Sequence, residues 1–255
     1  MSSFDHPVVT QRYFFGRPKA PPNPVPVSLP SGDLLCCHLA RCPDPDAPTV
    51  VFFHGNGEVV ADYVPGHDAL LNALGVHVFY AEYRGYGGST GTPKLAAMLD
   101  DVVAIRDHLD LPARSLIAFG RSIGSIYAIE LAHRTPGIGG LVLESGIADV
   151  LERILLRAEP RELGASIDEL RAQAAQHFDH ERKLCAIRSP LLVMHAIQDH
   201  LVDAGHARRN ASWSADPSAR LVLFERGDHN TIFAANRDAY LRELDAFFER
   251  VRRPS

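Results

Sequence analysis

The chain contains no run approaching the ~18 consecutive apolar residues that carry a helix across a bilayer, so no integral membrane segment is read from it. It also has no surplus of positive charge. Against 31 Asp and Glu stand 26 Lys and Arg, a net charge of −5. Without a basic stripe to neutralise phosphates, nucleic acid is not expected as a partner. Cysteine is scarce: Cys36, Cys37, Cys42 and Cys185 make neither a C-x-x-C pair nor a regular disulfide framework. That points to reduced, structural thiols and a cytoplasmic location. No secretory signal is read at the N-terminus, where Asp5, Arg12, Arg17 and Lys19 interrupt any apolar stretch. The 13 histidines never frame a carboxylate as in H-E-x-x-H, so no metal is expected. The glycines Gly85-x-Gly87 are followed by Thr90 where a dinucleotide fingerprint needs its third glycine, and no cofactor is expected either.

What is present is an ordinary globular composition, 46% apolar and 22% charged over 255 residues, enough for one domain with a sizeable core. The proline-rich segment from Pro18 to Pro30 lacks the donors of a central strand and is expected along the surface, before an edge strand. Leu34 to Leu39 then reads as a second strand. Short β-branched and aromatic runs follow at Thr49–Phe53, Val76–Tyr80, Ser115–Phe119, Gly140–Leu143, Leu191–Met194 and Leu221–Phe224. Several are apolar at consecutive positions, as strands covered on both faces of a parallel sheet are.

Helical spacing separates the strands. Leu95, Met98, Leu99, Val102, Val103 and Leu109 recur at that period, with Asp100, Asp101, Arg106 and Asp107 expected outside. Tyr240, Leu241, Leu244, Phe247, Phe248 and Val251 repeat the pattern near the C-terminus. Such alternation predicts an open α/β sheet with helices on both sides and a ligand site beyond the carboxyl ends of the strands. From about Ala148 to Arg188 there is no strand but two helical patterns, one through Leu151, Ile154 and Leu155, the other through Ile167, Leu170, Ala174 and Phe178. Ser166 with Glu169 forms a capping box at the start of the second.

Four loops carry the chemistry. Gly120-Arg121-Ser122-Ile123-Gly124 stands between a strand and a helix, where a serine on a sharp turn projects its hydroxyl at the sheet edge. His54-Gly55-Asn56-Gly57-Glu58 follows the strand ending at Phe53, where a second main-chain donor for an oxyanion is needed. The two donors are the amides of Asn56 and Ile123; His54 is expected to be structural. Asp199 follows the strand ending at Met194, and His229 follows the last strand within Gly227-Asp228-His229-Asn230. A serine hydroxyl needs a base, and the base a partner that fixes its tautomer. Ser122, Asp199 and His229 supply those parts, with Asp228 as a rival acid better suited to capping the next helix. Tyr83-Arg-Gly-Tyr-Gly-Gly-Ser89 reads as a tight rim turn tied down by Arg84 and Ser89.

These motifs, His54-Gly55-Asn56, Tyr83 to Ser89, Gly120 to Gly124, His195 to Asp199 and Gly227 to Asn230, resemble the α/β-hydrolase superfamily, in particular its small capped serine hydrolases. Ala196 stands where that branch usually has glycine. The resemblance implies a mostly parallel eight-stranded sheet with helices on both faces. It also implies one domain over 1–255, with a helical cap at about 148–188 between strands six and seven, and a Ser/Asp/His mechanism. The expected activity is cleavage of a carboxylic ester with an apolar acyl group; acyl thioesters come second, amides or peptides third. A non-catalytic binding module would be favoured by a missing triad member. Dehalogenase or epoxide-hydrolase chemistry would want a carboxylate at position 122. Oligomeric state is left open, a homo-oligomer included.

Overall fold

The computed structural model describes residues 2–253. Its eight strands are β1 (Val25–Ser28), β2 (Leu34–Ala40), β3 (Thr49–Phe53), β4 (His77–Ala81), β5 (Leu116–Arg121), β6 (Gly140–Glu144), β7 (Leu191–Ala196) and β8 (Arg220–Phe224). They form one sheet in the order β1-β2-β4-β3-β5-β6-β7-β8. The β1–β2 and β2–β4 pairs are antiparallel, and every pair from β4 to β8 is parallel. This is the α/β-hydrolase fold. The proline-rich segment is itself the edge: β1 contains Pro26, which an interior strand would not tolerate.

The helices are α1 (Pro7–Tyr13), α2 (His67–Ala73), α3 (Asp101–Leu109), α4 (Gly124–His133), α5 (Val150–Leu155), α6 (Ile167–His177), α7 (His180–Ala186), α8 (Ala204–Ser212) and α9 (Ile232–Arg252). Alternate residues of β3 sort the two cores. Val51 and Phe53 pack with α3 and α4, while Val50 and Phe52 pack with α2 and α9. A strand with all five residues buried, as β3 is, must be sandwiched in this way. Asp101 departs from the outside position expected of it. It is buried at the start of α3, where Arg84 donates to both of its carboxylate oxygens at 2.8 and 2.5 Å.

Three α-helices, α5 to α7, lie between β6 and β7, and the Ser166–Glu169 capping box opens α6. The apolar stripe read through them does not face one way. Leu155 is 36% exposed, Leu170 is buried in the core, and Phe178 packs edge-on to Phe4 with ring centroids 5.0 Å apart. The cysteines are all free. No described helix is long and apolar enough to cross a membrane.

One buried histidine in this interval makes the fold sensitive to acid. His180 donates through Nδ1 to the Ile147 carbonyl at 2.9 Å, and its Nε2 has no partner among the described residues. Burial, aided by the Lys183 charge, pushes its pKa down to about 4. The unfolded chain takes up this proton near pH 6.5. Between those values the unfolded form therefore binds more protons than the folded one, and stability is lost as pH falls. The loss from this one group should be about 3 kcal/mol between neutral pH and about pH 4. Urea unfolding midpoints measured across that range check it. His180→Asn, which keeps a donor near the Nδ1 position, should reduce the dependence by about that amount, leaving the share of the similarly buried His67; an unchanged slope would place the acid sensitivity elsewhere.

Candidate active site

Ser122 occupies the turn between β5 and α4 with φ +54°, a left-handed backbone that a non-glycine residue holds only where its surroundings enforce it. Its N–H donates to the Glu144 carbonyl at 2.9 Å, and its own carbonyl accepts from the Ser125 N–H at 3.0 Å and hydroxyl at 2.6 Å. The flanking glycines are required sterically. A Cβ on Gly120 would stand 2.5 Å from Ser125 Cα, and one on Gly124 would run into the Phe53 carbonyl oxygen.

Asp199 and His229 reach the same point from the ends of β7 and β8. His229 Nε2 is 2.9 Å from Ser122 Oγ, and its Nδ1 is 2.7 Å from Asp199 Oδ2. A carboxylate only accepts, so Nδ1 carries the hydrogen and Nε2 turns its lone pair to the serine hydroxyl. Asp199 Oδ1 accepts from the N–H groups of Leu201 and Val202 at 2.9 and 2.8 Å. His195, at the base of the same loop, stands with Nε2 3.3 Å from Asp199 Oδ2 and 2.8 Å from the Val202 carbonyl. Burial works against the Asp199 charge, yet hydrogen bonds from His195 and His229 hold its carboxyl well below the usual carboxylate range. Asp228 is exposed, and its oxygen accepts from Thr231 and Asn230 instead.

The loop after β3 is fixed by a buried pair. His54 faces two acceptors, the Gly55 carbonyl at 2.8 Å through Nδ1 and Glu82 Oε1 at 2.7 Å through Nε2. Tyr83 donates to the His54 carbonyl at 2.7 Å, and Tyr86 donates to Asn56 Oδ1 at 3.2 Å while accepting from the Phe15 N–H at 2.7 Å. The Tyr83–Ser89 loop thus does more than close a rim turn: it holds the loop that carries Asn56. The main-chain N–H groups of Asn56 and Ile123 have no acceptor among the described residues.

Sequence reading passed over Arg121. Its Nη1 is 2.6 Å from Glu58 and its Nε 3.1 Å from Glu144, while Nη2 donates to the His229 carbonyl at 2.9 Å. Burial opposes its charge, but the Glu144 and Glu58 carboxylates keep the guanidinium fully ionised. The residue before the serine therefore braces the loop that bears the histidine. No local pattern could reveal this, because its partners lie far away in the chain.

A cavity of about 270 Å³ opens beside Ser122 and His229. Ile123, Ile126, Val150 and Ile154 supply apolar lining, and Arg153 and Arg157 also face it. Of the interval between β6 and β7, only the α5 region reaches the cavity; Ala174 lines a separate groove with Phe178 and Trp213.

Residues 44–181 match the family described as serine aminopeptidase, S33. The chain is 25% identical over 238 residues to the α/β-hydrolase domain-containing protein WAV2 of Arabidopsis thaliana, covering 87% of this chain and 77% of that one. It is 29% identical over 205 residues to the uncharacterized protein YfhR of Escherichia coli K12, covering 76% and 67%. Among solved structures, Est1E from Butyrivibrio proteoclasticus, with ferulic acid bound, superposes with a TM-score of 0.73 at 18% identity over 90% of this chain and 100% of that one.

Proposed function

The chain belongs to the serine aminopeptidase S33 family of hydrolases, and from that premise we propose that it hydrolyses carboxylic esters through a Ser122 acyl-enzyme. The observation that carries this reading is the unbroken hydrogen-bonded series Asp199–His229–Ser122, ending on a strained turn at the mouth of an apolar-lined cavity. His229 takes the Ser122 proton as Oγ attacks the ester carbonyl. Asp199 holds the tautomer and stabilises the resulting imidazolium. The N–H groups of Asn56 and Ile123 receive the developing oxyanion. When the intermediate collapses, the C–O bond to the alcohol breaks and His229 returns the proton to the leaving oxygen. Water then repeats the sequence, its proton passing through His229 to Ser122 as the acid departs.

Esters are favoured over the peptides in the family's description by the cavity's chemistry. An aminopeptidase must hold a substrate ammonium group, which calls for a carboxylate in the pocket. Among the described residues no Asp or Glu lines this one. Thioesters remain the second reading, since the same acyl pocket and oxyanion donors serve either leaving atom.

The test is a set of 4-nitrophenyl esters, acyl thioesters and acyl anilides of graded chain length. Esters should turn over fastest, with substrate binding strengthening by about 0.8 kcal/mol for each methylene buried until the cavity is full. Ile154→Trp, which narrows the cavity from the α5 side, should shorten the preferred acyl chain. Faster turnover of aminoacyl anilides would move the activity to the peptidase class, and a flat chain-length profile would remove the acyl-pocket assignment.

A further inference from the structure

For a chain with net charge −5, the cavity at Ser122 has an unexpected sign: among the described residues Arg121, Arg153 and Arg157 line it and no acidic residue does. The charge of Arg121 is met by Glu58 and Glu144. That of Arg153 is not. It is half-buried on α5, and its guanidinium makes no hydrogen bond or ion pair among the described residues. Nearby carboxylates are committed elsewhere. Glu152 faces Arg209 at 2.9 Å and His206 at 3.4 Å, and Glu162 accepts both branches of Arg12 at 3.0 and 2.6 Å.

Arg157 is little better provided. It donates to the Arg12 carbonyl at 3.1 Å and lies 5.4 Å from the centre of the Tyr13 ring, with no carboxylate partner among the described residues. Burial, with the like charge of Arg157 adding to it, draws the Arg153 pKa below its ordinary value. An unpaired, partly desolvated cation is costly unless an anion meets it. The planar fork of arginine matches carboxylate and phosphate oxygens in particular.

We infer that the Ser122 cavity takes an ester that carries an oxyanion, a carboxylate or a phosphate, remote from the scissile carbonyl and held by Arg153 with Arg157 beside it. The inference rests on the ester-hydrolase reading. The apolar remainder of the lining fits a substrate with an apolar body and one anionic end.

Three 4-nitrophenyl esters of equal acyl length test it, one ending in a carboxylate, one in its neutral methyl ester and one in a phosphate. The wild type should favour at least one anionic ester over the neutral one by about tenfold or more in kcat/KM. Arg153→Met keeps the aliphatic stem and its packing but should bring that ratio close to one, and Arg153→Lys should restore part of it. Preference for the carboxylate arm identifies monoesters of dicarboxylic acids, and preference for the phosphate arm identifies phosphorylated esters. Equal turnover of all three by the wild type, or a ratio that Arg153→Met leaves unchanged, overturns the inference while ester hydrolysis stands. Absence of any turnover, together with failure of a fluorophosphonate to label Ser122, overturns both.

Discussion

Ser122→Ala should lower kcat by on the order of 10⁶ and abolish labelling by a fluorophosphonate probe, which in the wild type should modify Ser122 alone. The expectation follows from the 2.9 Å contact between His229 Nε2 and Ser122 Oγ, the one serine among the described residues that lines the cavity. Ser125 and Ser145 are nearby in sequence, but both are wholly buried, and the Ser125 hydroxyl is spent on the Ser122 carbonyl. Mass spectrometry of the labelled protein settles the site. Labelling that survives Ser122→Ala would mean that the nucleophile had been misassigned. A chain that binds acyl ligands without labelling or turnover would instead be a binding module on this fold.

The second large effect concerns the acid. Asp199→Asn should reduce kcat about 10⁴-fold while leaving the fold intact, because an amide at that position can donate and so favours the wrong imidazole tautomer. Asp228→Asn should leave kcat and stability nearly unchanged, since an amide oxygen can accept the same hydrogen bonds from Asn230 and Thr231 at the turn into α9. Single-turnover kinetics and thermal melts on the two variants separate the roles. The reverse ranking would transfer the acid assignment to Asp228.

The parts of this molecule legible in sequence are those whose cause is local. Thr49–Phe53 could be read because a β-branched threonine followed by four consecutive apolar residues, between turns, has few other uses. The order of Ser122, Asp199 and His229 was readable because each follows a strand. Strand ends were less so: β5 runs on through Gly120 to Arg121 because β6 pairs with it as far as Glu144. Arg121 and Asp101 escaped because their roles are set by partners farther off in the chain, and His195 because its role depends on how the loop to Val202 folds back over the end of β7. The α5–α7 interval shows the same limit. Periodicity revealed its helices but not which of them faces Ser122, and the cavity proves to be met by α5 and the residues just after it, which add Arg153 and Arg157 to its lining.

The N-terminal segment has a bearing on how this enzyme could be re-engineered. Arg12 bonds Glu162, Tyr13 donates to the carbonyls of Arg153 and Ile154, Ser2 and Ser3 bond Gln173, and Phe4 packs on Phe178. The helices between β6 and β7 are therefore not a detachable module. Transplanting residues 148–188 from a relative to change specificity would import side chains whose counterparts stay behind in the host's first fifteen residues. The exchangeable unit is bipartite, and a library that shuffles both segments together preserves the seam that one drawn on sequence continuity would cut.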